Sequence, residues 1–259
     1  MVLRIKIPIL SAVLLLSMCC PAFSVADSAE VATDLWPPFR IAREDGSLSG
    51  IDIDLLALLG KRMHIEFTVE RYPWARCLKY MKDGTRDFMT GIAKTAEREE
   101  YIIYSEIPYY ACRPAFYSRA GRSWSVEKYE DLKGLRVGFT RNSAYFPKFD
   151  NDTGLKKNAK NSEKQLLEML TAGRLDIIIG TDCQVDYDIT EKDLDAVIVK
   201  EPYVPDYSVD LYIGVSKRSR WRYRMKELNK VIKELVDDGV VQRIARKYIK
   251  VSEPCPIAR

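Results

Sequence analysis

Side chains with chemistry to offer are few in this 259-residue chain: one histidine, six cysteines, and short clusters of arginine, tryptophan, hydroxyl and acid. The single histidine, His64, excludes a multi-histidine metal site or a relay of several imidazoles. It closes an apolar, helix-spaced segment, where a packed or surface role fits better than that of a base for a thiol nucleophile. The chain has no Gly-rich phosphate loop and no Gly-x-Ser-x-Gly nucleophile turn. Asn142-Ser143 and Thr181-Asp182 each follow an apolar, strand-like run. Free N–H groups at a helix start at Asn142-Ser143 would favour an anion, although a serine there also reads as a plain N-cap. An aspartate such as Asp182 would suit an ammonium. Arg98 stands in the run Glu97-Arg98-Glu99-Glu100, which by composition alone reads as a solvated face.

These residues must be positioned by a folded body, and composition allows one. With 47% hydrophobic and 30% charged residues the chain is neither a disordered tail nor collagen-like. A net charge of +4 with both signs mixed leaves no basic stripe for nucleic acid. Residues 1–26 read as a signal peptide: Arg4 and Lys6, the apolar run Ile7 to Met18, then Ser24-Val25-Ala26, with cleavage expected after Ala26. The run is too short to span a bilayer, which takes about 20 apolar residues. Met18 before Cys19 argues against a lipoprotein site.

The remainder alternates strand and helix. Glu30 to Leu35 is expected as a strand, with Trp36-Pro37-Pro38-Phe39 as a turn after it. Ile51 to Met63 is expected as a helix, Ile65 to Val69 as a strand, Trp74 to Lys82 as a helix and Asp87 to Thr90 as a strand. A second unit begins near Leu132: strand Leu135 to Thr140, a helix opened by Ser143, helix Ser162 to Ala172 and strand Asp176 to Gly180. Leu211 to Val215 is a further strand. Two helical stripes follow, one from Trp221 to Leu235 and one from Val241 to Tyr248. This βαβα order implies an α/β protein with mostly parallel sheets flanked by helices. Ligand sites in such sheets lie beyond the carboxyl ends of the strands. Trp36 to Phe39, Thr90 to Arg98, Arg141 to Ser143 and Thr181-Asp182 therefore converge.

The motifs stand in a recognisable order. Ala32-Thr33-Asp34 with Pro38-Phe39 comes first, then Gly50-Ile51-Asp52-Ile53-Asp54-Leu55 and Gly84-Thr85-Arg86-Asp87. Lys94-Thr95-Ala96-Glu97-Arg98-Glu99 follows, then Tyr104-Ser105 with Pro108-Tyr109, and finally Asp131-Leu132-Lys133-Gly134-Leu135-Arg136-Val137-Gly138. With this set the chain resembles the family 3 extracellular solute-binding proteins, periplasmic receptors that feed polar amino acids to ABC transporters. The resemblance implies a two-lobed periplasmic-binding-protein-like fold of type II, with two hinge crossings. Lobe 1 would hold residues 27–117 and 209–259, and lobe 2 residues 118–208. It further implies that Arg98 pairs with a ligand carboxylate, a task suited to a planar guanidinium, with Thr95 in support. Trp36 would cover the ligand. Tyr72-Pro73-Trp74-Ala75-Arg76 is similar to a Pro-Trp-x-Arg branch of the family, which brings Trp74 and Arg76 near the site. The family's acid for a ligand ammonium aligns with Thr181, one residue before Asp182.

That resemblance calls for a monomer that binds a small amino acid or related carboxylate and meets an ABC permease, with no cofactor and no metal. A soluble sensor that presents its closed form to a membrane receptor is the alternative. An enzyme of the cyclohexadienyl dehydratase type is the third reading, and it lacks its acid, because Cys183-Gln184-Val185 stands where a glutamate is needed. Export would leave Cys77, Cys112, Cys183 and Cys255, an even set that favours disulfides. Pairing Cys77 with Cys112 and Cys183 with Cys255 keeps each bridge within one half of the proposed fold as it runs along the chain; buried free thiols are the other option.

Overall fold

A computed structural model describes residues 27–249, so the signal peptide expected over residues 1–26 and Cys255 lie outside the described residues. The chain opens with β1 (Asp27–Thr33), the short pair β2 (Ile41–Ala42) and β3 (Leu48–Ser49), α1 (Ile51–Met63) and β4 (Ile65–Arg71). Then come α2 (Trp74–Asp83), β5 (Phe88–Ile92), the single turn α3 (Ala96–Glu99), β6 (Ile102–Tyr104) and β7 (Tyr110–Cys112). A second group holds β8 (Pro114–Arg119), β9 (Arg136–Thr140), α4 (Pro147–Asp150), β10 (Lys156–Lys160) and α5 (Glu163–Thr171). It continues through β11 (Ile177–Thr181), α6 (Asp182–Glu191) and β12 (Ile198–Lys200). The chain then returns through β13 (Val209–Ser216) to a 3-10 turn at Arg220–Arg224, α7 (Met225–Asp237) and α8 (Val240–Ala245).

Two sheets result. The first runs β4-β1-β5-β13-β6, with β7 also on β13; the second runs β10-β9-β11-β8-β12. Pairs built through helical crossovers are parallel, as β1 with β4 and β9 with β11. Pairs to β13 and β8 are antiparallel, so each sheet is more mixed than the expected parallel pattern. Those two strands are the ones that arrive from the other lobe, without a helix to reverse them. β8 lies wholly in the second sheet, so the first crossing falls at Arg113, a few residues before the expected division at 117.

Each sheet is buried on both faces. In lobe 1, α1, α7 and α8 bring Leu55, Leu59, Leu228, Ile232 and Val241 against Val31, Phe88 and Ile213. On the opposite face α2 brings Cys77 and Met81 against Met89 and Ile102. In lobe 2, α5 packs Leu166, Leu167 and Leu170 on Ile178 and Tyr117. An aromatic cluster of Phe116, Tyr129, Phe146 and Phe149 covers Ile177 and Ile179 behind it. Fully burying one such side chain stabilises by about 1.5–3 kcal/mol, which holds the sheet edges that carry the site.

The helix expected from Ser143 does not form. Pro147 is the first residue of α4, and Phe146 before it is extended, with φ −160° and ψ 151°. Proline's ring drives its predecessor out of helical space, and Asn142 is left-handed at φ 60°. Asn142-Ser143 is therefore loop, and the helix-start argument for an anion there falls. Among the described residues no helix is long and apolar enough to cross a membrane.

Candidate functional site

The carboxyl ends of the strands from both sheets line a partly open cavity, the usual position of a ligand in open α/β sheets. Lobe 1 contributes Asp34, Leu35, Trp36, Arg40, Trp74, Gly91, Ala93 and Arg98, with Val209 and Leu211 at the return strand. Lobe 2 contributes Thr140, Ser143, Ala144, Tyr145, Asn161, Glu163, Thr181 and Gln184.

The first wall is built on α1. Gly50 precedes this helix at φ 119°, and a Cβ there would stand 2.3 Å from the Phe39 carbonyl oxygen. Only glycine lets the Trp36–Phe39 turn lie so close that the Pro38 and Phe39 carbonyls accept from the N–H groups of Ile51 and Asp52. That seating brings Arg40 onto Asp52, an ion pair with side chains 3% and 0% exposed. Asp52 also accepts from the Tyr109 hydroxyl at 2.5 Å and the Thr90 hydroxyl at 2.7 Å. Burial and the Asp52 charge push the Tyr109 phenol far up, so it stays a donor. Arg40 donates onward through Nε to the Asp34 carbonyl at 2.9 Å and through Nη1 to the Thr90 carbonyl at 3.2 Å. Every charge in this network has a partner, the condition under which a buried ion pair is tolerable. Gly91 completes it: at φ 63°, a Cβ there would lie 2.5 Å from Arg40 Nη1.

The network holds two indoles at the cavity. Trp36 stacks on Phe39 at 4.5 Å between centroids, with the Arg40 guanidinium 5.2 Å from its ring. The Asp34 carboxylate accepts from the backbone N–H of Leu35 at 2.8 Å and of Trp74 at 2.9 Å, so it fixes the start of α2 beside the Trp36 turn.

Arg98 reaches the cavity and is only 5% exposed, so the solvated charge-run reading is wrong for it. Its guanidinium lies 5.6 Å from the Trp74 ring. Nη1 donates to the Ala93 carbonyl at 2.8 Å, and Nη2 donates across the cleft to the Asn142 carbonyl at 2.5 Å. Trp74 Nε1 donates to the same Asn142 oxygen at 3.1 Å. Burial lowers the Arg98 pKa, yet an arginine keeps its charge. Among the described residues no carboxylate forms an ion pair with it.

Not every expected residue arrives. Thr95 caps α3, its hydroxyl accepting from the Arg98 N–H at 3.2 Å, so it supports Arg98 from below and does not line the cavity. Asn142 is not in the lining and meets Arg98 and Trp74 only through its carbonyl. Arg76 is exposed on the outer face of α2 and does not join the site. Ser143 lines the cavity as a loop residue.

Thr181 faces the cavity and Asp182 does not. Asp182 Oδ1 accepts from the N–H of Arg113 at 2.8 Å and of Cys183 at 2.7 Å, and burial raises its carboxyl pKa. Because Asp182 serves the start of α6, Thr181, which stands at the N-cap, makes no capping hydrogen bond with its side chain. Residues missed in the sequence include Arg40, Asp34, Tyr145, Glu163 and Gln184; only the tight Pro-Pro turn ahead of Asp52 hinted at any of them.

The disulfide pairing is also corrected. Cys112 bonds to Cys183, with Cα atoms 5.7 Å apart. Thr181 pairs with Pro114 where β11 meets β8, so Cys183, two residues beyond one strand, meets Cys112, two residues before the other. The bridge thus ties β7 of the first sheet to α6 of the second. Cys77 is a free, buried thiol; burial pushes it up to about 12, which leaves it unreactive. His64 ends α1 at φ 54°, exposed and away from the cavity.

With this geometry established, the chain belongs to the bacterial extracellular solute-binding proteins, family 3, whose model matches residues 30–251. It is similar to an arginine-binding periplasmic protein of Mannheimia haemolytica, 24% identical over 232 residues that cover 89% of this chain and 94% of the relative. It is likewise similar to the histidine-binding periplasmic protein of Escherichia coli (strain K12), 26% identical over 252 residues, covering 92% and 94%. In structure it resembles a histidine kinase sensor domain similar to periplasmic binding proteins, with a TM-score of 0.76, 19% identity and coverage of 88% and 98%. The two-lobed type II α/β fold is the shared frame.

Proposed function

We propose that the chain is an exported receptor that captures a small, carboxylated, amino-acid-like ligand in this cavity and presents it to an ABC importer in the periplasm. The observation that carries the reading is Arg98: a buried guanidinium at the lobe boundary whose donors rest on two neutral carbonyls, one from each lobe. A carboxylate is the stronger acceptor for that fork, and a ligand on Arg98 touches both lobes at once. Differential affinity for the closed arrangement is what drives closure, and a membrane partner reads the closed shape. Trp36 and Trp74 offer flat faces to an apolar stem or a cation. The relatives that bind arginine and histidine fit this class of ligand.

A signalling role has one fold-level support, the likeness to a histidine kinase sensor domain. The same cavity serves either outlet, so the first test is on binding. Calorimetry of amino acids against wild type and Arg98→Ala should show a loss of about 1.5–3 kcal/mol, the worth of a hydrogen bond to a charged group. Unchanged affinity in the variant removes the carboxylate from Arg98. Turnover of the ligand during incubation would replace binding with catalysis.

A further inference from the structure

The two walls of the cavity differ in what they leave unsatisfied. On the lobe 2 wall, Thr181 and Gln184 are 7% and 2% exposed. The Thr181 hydroxyl oxygen and Gln184 Oε1 are buried with no hydrogen-bond partner. The Gln184 amide is oriented by its Nε2, which donates to Asp188 Oδ2 at 3.4 Å. Thr140 Oγ1 on the same wall is unpartnered as well. Buried polar atoms cost free energy unless paired, and three such oxygens in one wall mark a place for a donor-rich group.

Glu163 stands on the same wall, as the first residue of α5. Ser162 takes the capping duty there, its hydroxyl accepting from the Gln165 N–H at 3.3 Å, so Glu163 is not needed to close the helix. Burial raises its carboxyl pKa, its own backbone N–H at the helix start acts the other way, and the charges of Asp34 and Asp188 add to the rise. Among the described residues Glu163 forms no ion pair. Asp34, the other cavity acid, accepts from the N–H groups of Leu35 and Trp74 and has a cation, Arg71, 3.8 Å away. Glu163 is therefore the acid of this cavity with a charge left to give.

We propose that Glu163 is the specificity-determining residue for a cationic group of the ligand, an ammonium or a guanidinium, with Thr181 Oγ1 and Gln184 Oε1 accepting its remaining N–H donors. The ligand then spans the cleft with its anion on Arg98 in lobe 1 and its cation on α5 in lobe 2. This inference rests on the cavity being the ligand site, as proposed above.

The test is calorimetry on the full chain, after a thermal-shift panel that pairs each amino acid with its deaminated acid and its decarboxylated amine. Glu163→Gln should weaken the best amino acid at least about tenfold, as expected for a lost hydrogen bond to a charged group, and leave the matching deaminated acid within about twofold. Without ligand at neutral pH the variant should melt at or above wild type, because a half-buried carboxylate with no cationic partner is removed. Wild-type affinity for the amine should fall as pH drops through the raised range of this carboxyl, and the variant's profile should be flat there. Asp34, Asp188 and Tyr145 act on Glu163, Arg40 and Arg98 line the same cavity, and all are common to both proteins, so the difference isolates it. Equal loss for acid and amine, or a wild type that holds the deaminated acid as tightly as the amino acid, overturns the role of Glu163. If Arg98→Ala loses ligand while Glu163→Gln does not, only this inference falls; if no compound shifts the melting temperature, both fall.

Discussion

The two cavity walls are made of similar residue types and are in opposite states. In lobe 1 the carboxylate of Asp52 accepts from Arg40, Thr90 and Tyr109, and that of Asp34 from two backbone N–H groups. These two carboxylates are spoken for before any ligand arrives. In lobe 2 Thr181 Oγ1 and Gln184 Oε1 have no partner, and Glu163 has no cation. One wall is a finished scaffold with a single uncompensated charge, Arg98. The other keeps part of its hydrogen-bonding capacity in reserve, at a cost to folding. A receptor that must distinguish a bound from an empty cleft needs such an asymmetry, since groups already satisfied gain little from ligand.

Substitutions can break this contrast. The largest effect is expected at Asp52→Ala, which strands Arg40 in a site where it is 3% exposed. Breaking a buried pair from one side costs about 3–5 kcal/mol, measured by urea unfolding. A loss below about 1 kcal/mol, the worth of an exposed pair, would mean that the first wall is no more committed than the second. Replacing both bridge residues, Cys112→Ser with Cys183→Ser, should cost about 2–4 kcal/mol for the 71-residue separation it closes. That loss should appear equally under oxidising conditions, and reduction of wild type should reproduce it. The smallest effect belongs to Thr181→Val, which swaps an unpartnered buried hydroxyl for a methyl of the same shape. Stability should stay within about 1 kcal/mol or rise, while affinity for an amine-bearing ligand falls. A clear destabilisation would show that the hydroxyl is satisfied after all, and the walls would then be alike.

Much of this was readable beforehand. The helix over Ile51 to Met63 is found with the same bounds, because apolar spacing and Gly50 both mark it. The order β1, α1, β4, α2, β5 in lobe 1 and the elements β9, α5 and β11 in lobe 2 followed from periodicity, whereas β6, β7, β8, β10 and α6 had no counterpart among the expected elements. What failed was set by tertiary contacts or by a single stereochemical veto. Ser143 opens no helix, since Pro147 resets the register. The choice between Thr181 and Asp182 depended on which residue served the Arg113 backbone, and that pairing lies 69 residues away in sequence. Arg98 was legible through its motif, whereas Arg40 and Glu163 were not. An arginine after a turn and an acid in a first helical turn are commonplace, and nothing local says that either faces a cavity. The bridge from Cys112 to Cys183 follows from the antiparallel register of β8 with β11, which no cysteine spacing records.

The placing of the indoles has an optical consequence. Of the four tryptophans, Trp36 and Trp74 line the cavity, each with a guanidinium within 6 Å of its ring. Trp124 and Trp221 sit outside it. An anion that draws Arg98 off the Trp74 face changes the electric field across that indole, and with it the colour of its emission. The site therefore carries its own fluorophore, reporting occupancy without a label.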